Sequence, residues 1–280
     1  MNWKNLALTL IVGLLLSACA KVPFTGRKQT KAIPVAQINQ MSFAEYDTFI
    51  KGNPTVNSGP EVEMVRRVGS RLVQAMEKYY RAEGLAAKLL EFNWEFNVVK
   101  DDQTPNAFCM PGGKVVIYTG IMPITKDEDG LAVVMGHEIA HAIAHHGNER
   151  MTQALGLQTA LSGVDAFLSY RSGQSETPEQ AQQRQLTHQV FMQAAGVGAQ
   201  VGVILPFSRK HESEADKIGL YLMAIAGYNL NAAAPFWERM QAAGGSSVPE
   251  FMSTHPSPET RAQNLTTWIP EARELAKKYQ

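Results

Sequence analysis

Cysteine is nearly missing from this chain: the 280 residues hold two, at positions 19 and 109, too few for a disulfide framework to stand in for a core. An excess of either charge is missing as well. Lys and Arg total 26 against 26 Asp and Glu, with no long basic run, so the electrostatic footprint of a polyphosphate partner is absent and no nucleic acid is expected to bind. The N-terminal apolar run Leu6–Leu16 falls short of the roughly 20 residues that span a bilayer. No internal repeat is found. What is present is a globular composition, 45% hydrophobic and 19% charged, long enough to bury a substantial core in one large or two small domains.

The N-terminus carries an export pattern. One positive charge in Met1–Lys4 precedes the apolar run, and Leu16-Ser17-Ala18-Cys19 resembles the lipobox of bacterial lipoproteins, in which the cysteine is lipidated and becomes the first mature residue. Residues 1–18 are therefore read as a removed signal peptide, the alternative being an ordinary signal peptide with Cys19 as a bystander. Ala20 stands where Gram-negative lipoproteins carry their retention signal, usually Asp, so the resemblance implies sorting to the outer membrane through acyl chains. Cys109, inside Ala107-Phe108-Cys109-Met110, then lacks an intramolecular partner and reads as an inert buried thiol.

Residues 19–59 are rich in turn formers, with a short helical pattern near Ile38–Phe49, and read as a tether and lead-in to a domain over 60–280. Apolar spacing predicts a helix from Glu61 to about Ala82. Alternation predicts a strand over Phe92–Val99, and extended segments Asn106–Met110 and Lys114–Tyr118 flank Pro111-Gly112-Gly113, which together make a small antiparallel sheet with one hairpin. Thr125-x-x-Glu128 has the form of a capping box and predicts a helix running to Gly147. Everything beyond reads as helical: Met151–Leu168 and Gln180–Leu205 around a polar stretch Ser169–Pro178, then His211–Ala226, Ala232–Ala243, Pro258–Thr267 with Ser257 as cap, and Pro270–Lys278. The fold class is α+β, mainly helical.

The chemistry centres on His137-Glu138-Ile139-Ala140-His141 within the predicted helix. Spacing i, i+4 puts both imidazoles on one face, where they can share a metal ion. Two imidazoles and one more protein ligand leave zinc an open position for water, and Glu138 is placed to take its proton and return it to a leaving amine. Chance occurrence on an amphipathic helix is the alternative, opposed by the cost of burying three polar side chains where packing favours aliphatics. Ala144 and Gly147 occupy the places where a metzincin has glycine and a third histidine, which excludes that class. A structural zinc site is disfavoured because no cysteine accompanies these residues. The third ligand has to come from elsewhere. In His211-Glu212-Ser213-Glu214-Ala215-Asp216, Glu212 and Asp216 are one turn apart, which suits a metal ligand and an acceptor for a ligand imidazole's free N–H, or equally an acidic first turn favoured by the helix dipole.

Taken in order over roughly residues 60–265, Asn106–Gly113, the HEIAH motif, Glu212-x-Glu214-Ala215-Asp216 and Thr254-His255-Pro256 resemble the HtpX and CAAX-prenyl-endopeptidase group of gluzincin metallopeptidases. Lipoprotein and periplasmic members of the beta-barrel-assembly-enhancing type look most similar. The resemblance implies a zincin-like domain with its small sheet beside the HExxH helix, one Zn2+ per chain on His137, His141 and Glu212, and Asp216 supporting a ligand histidine. It leaves Glu214 facing solvent. Asn106, Ala107 and Phe108 fall on an edge strand that takes up substrate backbone. His255 matches a histidine that reaches the zinc as a self-inhibiting switch or stabilises the oxyanion, and Arg261 contacts substrate or a carboxylate. His145 and His146 read as surface or packing residues. The 70 residues between His141 and Glu212 include a candidate lid. The implied activity is cleavage of misfolded or stalled envelope proteins in the periplasm, by an outer-membrane lipoprotein held at Cys19. Unfolded polypeptides and the outer-membrane assembly machinery are the implied partners. The alternative is a chaperone-like assembly factor with suppressed proteolysis.

Overall fold

A computed structural model of the chain describes residues 19–154, 209–243, 250–255 and 260–279. The expected signal peptide, the Ser169–Pro178 stretch, the Gln180–Leu205 helix, most of the candidate lid and the Ser257–Pro258 helix start lie outside them. The elements run β1 Cys19–Lys21, β2 Lys28–Thr30, α1 Val35–Gly52, β3 Thr55–Val56, α2 Pro60–Ala82, β4 Glu95–Val99, β5 Ala107–Met110, β6 Lys114–Tyr118, α3 Met122–Thr125 and α4 Glu128–Ile143. After a helical segment over 146–154 come α5 Arg209–Ala226, α6 Ala233–Ala243, α7 Glu250–Thr254 and α8 Arg261–Ala276. The mainly helical α+β class is as expected. Among the described residues no helix is long and apolar enough to cross a membrane.

The 19–59 stretch does more than tether. β1 and β2 pair as a hairpin, Val22 enters the main core, Phe24 stacks on Tyr79 of α2 with ring centroids 3.7 Å apart, and α1 packs Tyr46 and Phe49 against Val99, Met110 and Val116. The main sheet has the order β3-β4-β6-β5. It is mixed, where an antiparallel sheet was expected, because β6 returns from its hairpin to lie between β5 and β4 and runs parallel to β4. Gly112 and Gly113 close that hairpin at φ 81° and 94°, and a side chain on either would strike Phe43 or Trp94. The consequence is that β5 is left on the sheet edge.

α4 is buried from Gly130 to Ile143, as befits a helix apolar around nearly its whole circumference. Its cap is Asp127, whose Oδ1 accepts from Gly130 N–H at 2.8 Å, two residues beyond the expected Thr125. Thr125 belongs to α3 and donates its hydroxyl to Met122 O. The break after α4 comes at His145, in the left-handed region at φ 52°, so Gly147 lies inside the next helical segment instead of ending α4. Pro270 sits within the single helix α8, where two helices were expected; packing of Leu265, Ala272 and Ala276 on the core outweighs its lost N–H.

α4 crosses α5 closely at Gly136 and Gly219. A Cβ on Gly219 would stand 2.9 Å from Gly136 C and 3.0 Å from His137 N. Gly219→Ala is expected to cost about 1–3 kcal/mol of stability in urea unfolding through this overpacking. An unchanged midpoint would show that the crossing relaxes freely.

Candidate metal centre

Helical spacing brings His137, Glu138 and His141 to one side of α4, and the glycine crossing lets the first turn of α5 approach that side. The result is a convergence of buried ring nitrogens and one carboxylate. His137 Nε2 and His141 Nε2 are 3.1 Å apart; Glu212 lies 3.2 Å from the first through Oε2 and 3.3 Å from the second through Oε1. His255, following α7, joins them with Nδ1 3.1 Å from Glu212 Oε1 and 3.3 Å from His137 Nε2. Among the described residues these four form the group whose ligand atoms lie within 4.8 Å of one another and suit a metal ion.

The donor set fits zinc. Lone pairs of neighbouring imidazoles repel each other out of water unless a cation or proton stands between them, and Glu212 Oε2 is buried without a hydrogen bond. The electrostatics agree. Burial pulls His137 down, but Glu212 and Asp216 outweigh it and hold its pKa at about 9, while burial dominates at His141 and lowers it. Burial also opposes ionisation of Glu212, yet His255, His141 and His137 overcome that and keep its pKa well below the carboxylate range.

Each expected residue has a definite place. Asp216 Oδ1 meets His137 Nδ1 at 2.9 Å, the arrangement expected for orienting a ligand imidazole. Arg261 is buried and donates from Nη2 to Asp216 at 2.6 Å, with its guanidinium carbon 3.3 Å over the Trp237 ring, so of the two contacts expected it makes the one to a carboxylate. Glu138 Oε2 accepts from Cys109 N–H at 3.1 Å; its Oε1 has no hydrogen bond and lies 3.6 Å from His255 Nε2. Burial raises its pKa. Cys109 is half-buried, and burial pushes its thiol up.

Along β5 alternate residues bond to β6. Tyr118 N–H donates to Asn106 O, which turns the backbone of Ala107 and Cys109 to the open edge. Two of those edge N–H groups already have partners, Ala107 on Asn106 Oδ1 and Cys109 on Glu138. Phe108 instead packs edge-on to Phe49, with centroids 5.3 Å apart, on the α1 side of the sheet.

Sequence reasoning missed a buried polar cluster behind His141. Glu214, expected in solvent, is buried and bonded to Thr25, Arg27 and His146, and His146 bonds in turn to His141 Nδ1 at 2.8 Å. His145 pairs with Glu91 at 3.0 Å. The consecutive histidines after the motif were a signal; Arg27, from a stretch read as a tether, offered none. Burial holds His146 at about 4, hence neutral. Glu149 is opposed by burial, but hydrogen bonds from His211 and Arg27 prevail and hold it at about 2.

Residues 67–269 match the family described as Peptidase family M48. The chain is 41% identical to the Mitochondrial metalloendopeptidase OMA1 of Schizosaccharomyces pombe over 187 residues, covering 65% of this chain and 49% of that protein. Its Saccharomyces cerevisiae counterpart is 31% identical over 230 residues, 77% of this chain and 59% of that protein. The Beta-barrel assembly-enhancing protease of Escherichia coli is 28% identical over 269 residues, 92% of this chain and 50% of that protein. The chain thus spans about half the length of the curated relatives it matches. The expected likeness to the beta-barrel-assembly-enhancing type holds at the level of the family, with higher identity to the mitochondrial proteins.

The depressed Glu149 carboxyl makes stability pH-dependent in a defined sense. A folded pKa of about 2 lies below the ordinary 4.5, so its contribution is full above pH 4.5 and is lost as pH falls toward 2. Urea unfolding of wild type and Glu149→Gln between pH 6 and pH 2.5 should show a shallower decline in the variant; parallel declines would remove Glu149 from the acid limb.

Proposed function

The chain belongs to peptidase family M48, and from that premise we propose that it is a zinc-dependent endopeptidase in which Glu138 handles the protons. The observation that carries this reading is the convergence of His137, His141 and Glu212 with His255 on one buried point, with the unbonded Glu138 Oε1 3.6 Å from His255 Nε2. Zinc held by His137, His141 and Glu212 supplies a Lewis acid for the scissile carbonyl and for the attacking water. Glu138, with its pKa raised by burial, is suited to accept a proton from that water and deliver it to the leaving amine. Asp216, backed by Arg261, keeps the proton of His137 on Nδ1 and leaves Nε2 free to ligate. An extended polypeptide adds to the β5 edge through Ala107 and Cys109, whose side-chain partners yield to substrate backbone. His255 lies within the ligand group, stacked on Phe251 with ring centroids 4.6 Å apart, which favours a self-capped resting state.

Substrate and compartment belong to the same proposal. We read the protein as an outer-membrane lipoprotein facing the periplasm, on the strength of the export pattern ending at Cys19, and its substrates as unfolded or misfolded polypeptides, with the outer-membrane assembly machinery as partner. The name of the Escherichia coli relative supports that reading. The seated His255 favours one second reading, a chaperone-like assembly factor whose proteolysis stays suppressed.

The test is metal content together with casein cleavage by protein lacking residues 1–19. The expectation is one zinc per chain, cleavage reduced by about 10²–10⁴ in Glu138→Gln with zinc retained, and cleavage raised in His255→Ala. Zinc without cleavage in every form would favour the chaperone-like reading, and failure to bind metal would overturn the proposal.

A further inference from the structure

The two motif histidines are braced by chains of different length. His137 Nδ1 meets the Asp216 carboxylate directly, and Arg261 holds that carboxylate. At Nδ1 of His141 stands a second imidazole, His146, whose Nδ1 is 2.8 Å away; His146 Nε2 lies 2.9 Å from Glu214 Oε2, and Arg27 Nε donates to the same oxygen at 2.7 Å. Both chains end on a carboxylate held by arginine. The second one starts in the N-terminal hairpin, 114 residues before the histidine it serves.

We propose that Arg27 is a positioning residue for the metal centre, acting on His141 through Glu214 and His146. This rests on the zinc reading above. To ligate through Nε2, His141 must carry its proton on Nδ1 and needs an acceptor there. His146 Nδ1 is an acceptor only while the His146 proton sits on Nε2, and that tautomer is selected by Glu214, which accepts it. Glu214 is fixed in turn by Arg27 and by the Thr25 hydroxyl at 2.5 Å. Without Arg27, Glu214 is free to turn away, the His146 proton can move to Nδ1, and two N–H groups then face each other across 2.8 Å. His141 escapes that repulsion by moving its own proton to Nε2, where it blocks the ligand lone pair.

The same guanidinium also bonds a second carboxylate, on the 146–154 segment. Arg27 Nη1 and Nη2 clamp Glu149 at 2.9 and 2.7 Å, and Glu149 Oε2 is 3.1 Å from Nε2 of His211, the residue next to Glu212. One arginine therefore ties the 146–154 segment to the first turn of α5, the turn that carries Glu212. A bidentate guanidinium bridging two carboxylates has a geometry that lysine cannot reproduce.

The experiment uses the full-length chain and measures zinc affinity by chelator competition and the visible spectrum of the Co2+-substituted protein. Arg27→Met, which keeps the side-chain stem, and His146→Phe, which keeps the ring stacked on His211, are compared with Asn148→Ala. The last removes a different bond to the 19–59 stretch, Asn148 Nδ2 to Ile33 O, without touching the chain to His141. The expected result is a 10–100-fold loss of zinc affinity and shifted Co2+ bands in Arg27→Met and His146→Phe, with Asn148→Ala close to wild type. Affinities within about threefold of wild type with unchanged bands, or an equal loss in Asn148→Ala, would overturn the proposal. If Arg27→Met does not fold, Arg27→Lys, which keeps the charge but not the bridge between two carboxylates, is read in its place, with the same loss expected and the same limit of about threefold overturning the proposal. A wild-type protein that binds no zinc would instead overturn the proposed function.

Discussion

The constraint on which this structure turns is the enclosure of ionisable groups inside a helix that is otherwise aliphatic. His137, Glu138 and His141 lie on a helix buried on all sides, and Glu212, Asp216 and Arg261 reach them from elements that are themselves buried there. Each of these groups taken singly would be expensive to desolvate. Together they form alternating charge and hydrogen bonding around a point that calls for a cation, and the rest of the molecule keeps that arrangement buried.

Several local features of the fold follow from this need. The glycine pair at the α4–α5 crossing lets two helix backbones approach until a carboxylate one turn into α5 can join imidazoles on α4. The insertion of β6 between β4 and β5 leaves β5 on the edge, where Cys109 N–H meets Glu138. The N-terminal hairpin closes the far side. Its Arg27 lies among carboxylates that would otherwise face one another, Glu149 and Glu214, so it acts at once as a structural clamp and as the end of a chain leading to a ligand.

How much of this was legible in advance depended on distance along the chain. The i, i+4 histidines, the lone Glu138 between them and the Glu212–Asp216 turn carry their geometry within a single helix, so helical period alone placed each pair on a common face. Helix α2 and strand β6 were likewise readable from spacing of apolar residues. Boundaries governed by single residues were not: the cap moved from Thr125 to Asp127, and the break moved from Gly147 to His145, because several residues compete for each role and packing chooses among them. Pro270 misled for the same reason, as a helix gains more from its buried face than one proline removes.

Glu214 marks the limit. From local pattern it is an acidic residue near a helix start, where water is the usual partner, and its burial is made favourable by His146 together with Thr25 and Arg27, which lie almost two hundred residues earlier. The sequence by itself determined the helical spans of α2, α4 and α5 and which polar residues share a face on them, since these depend on residue chemistry and on short-range periodicity. The tertiary structure alone decided the mixed strand order, the partner of each buried charge and the route from Arg27 to His141. Those depend on long-range contacts whose energies exist only once water has been excluded between segments far apart in the chain.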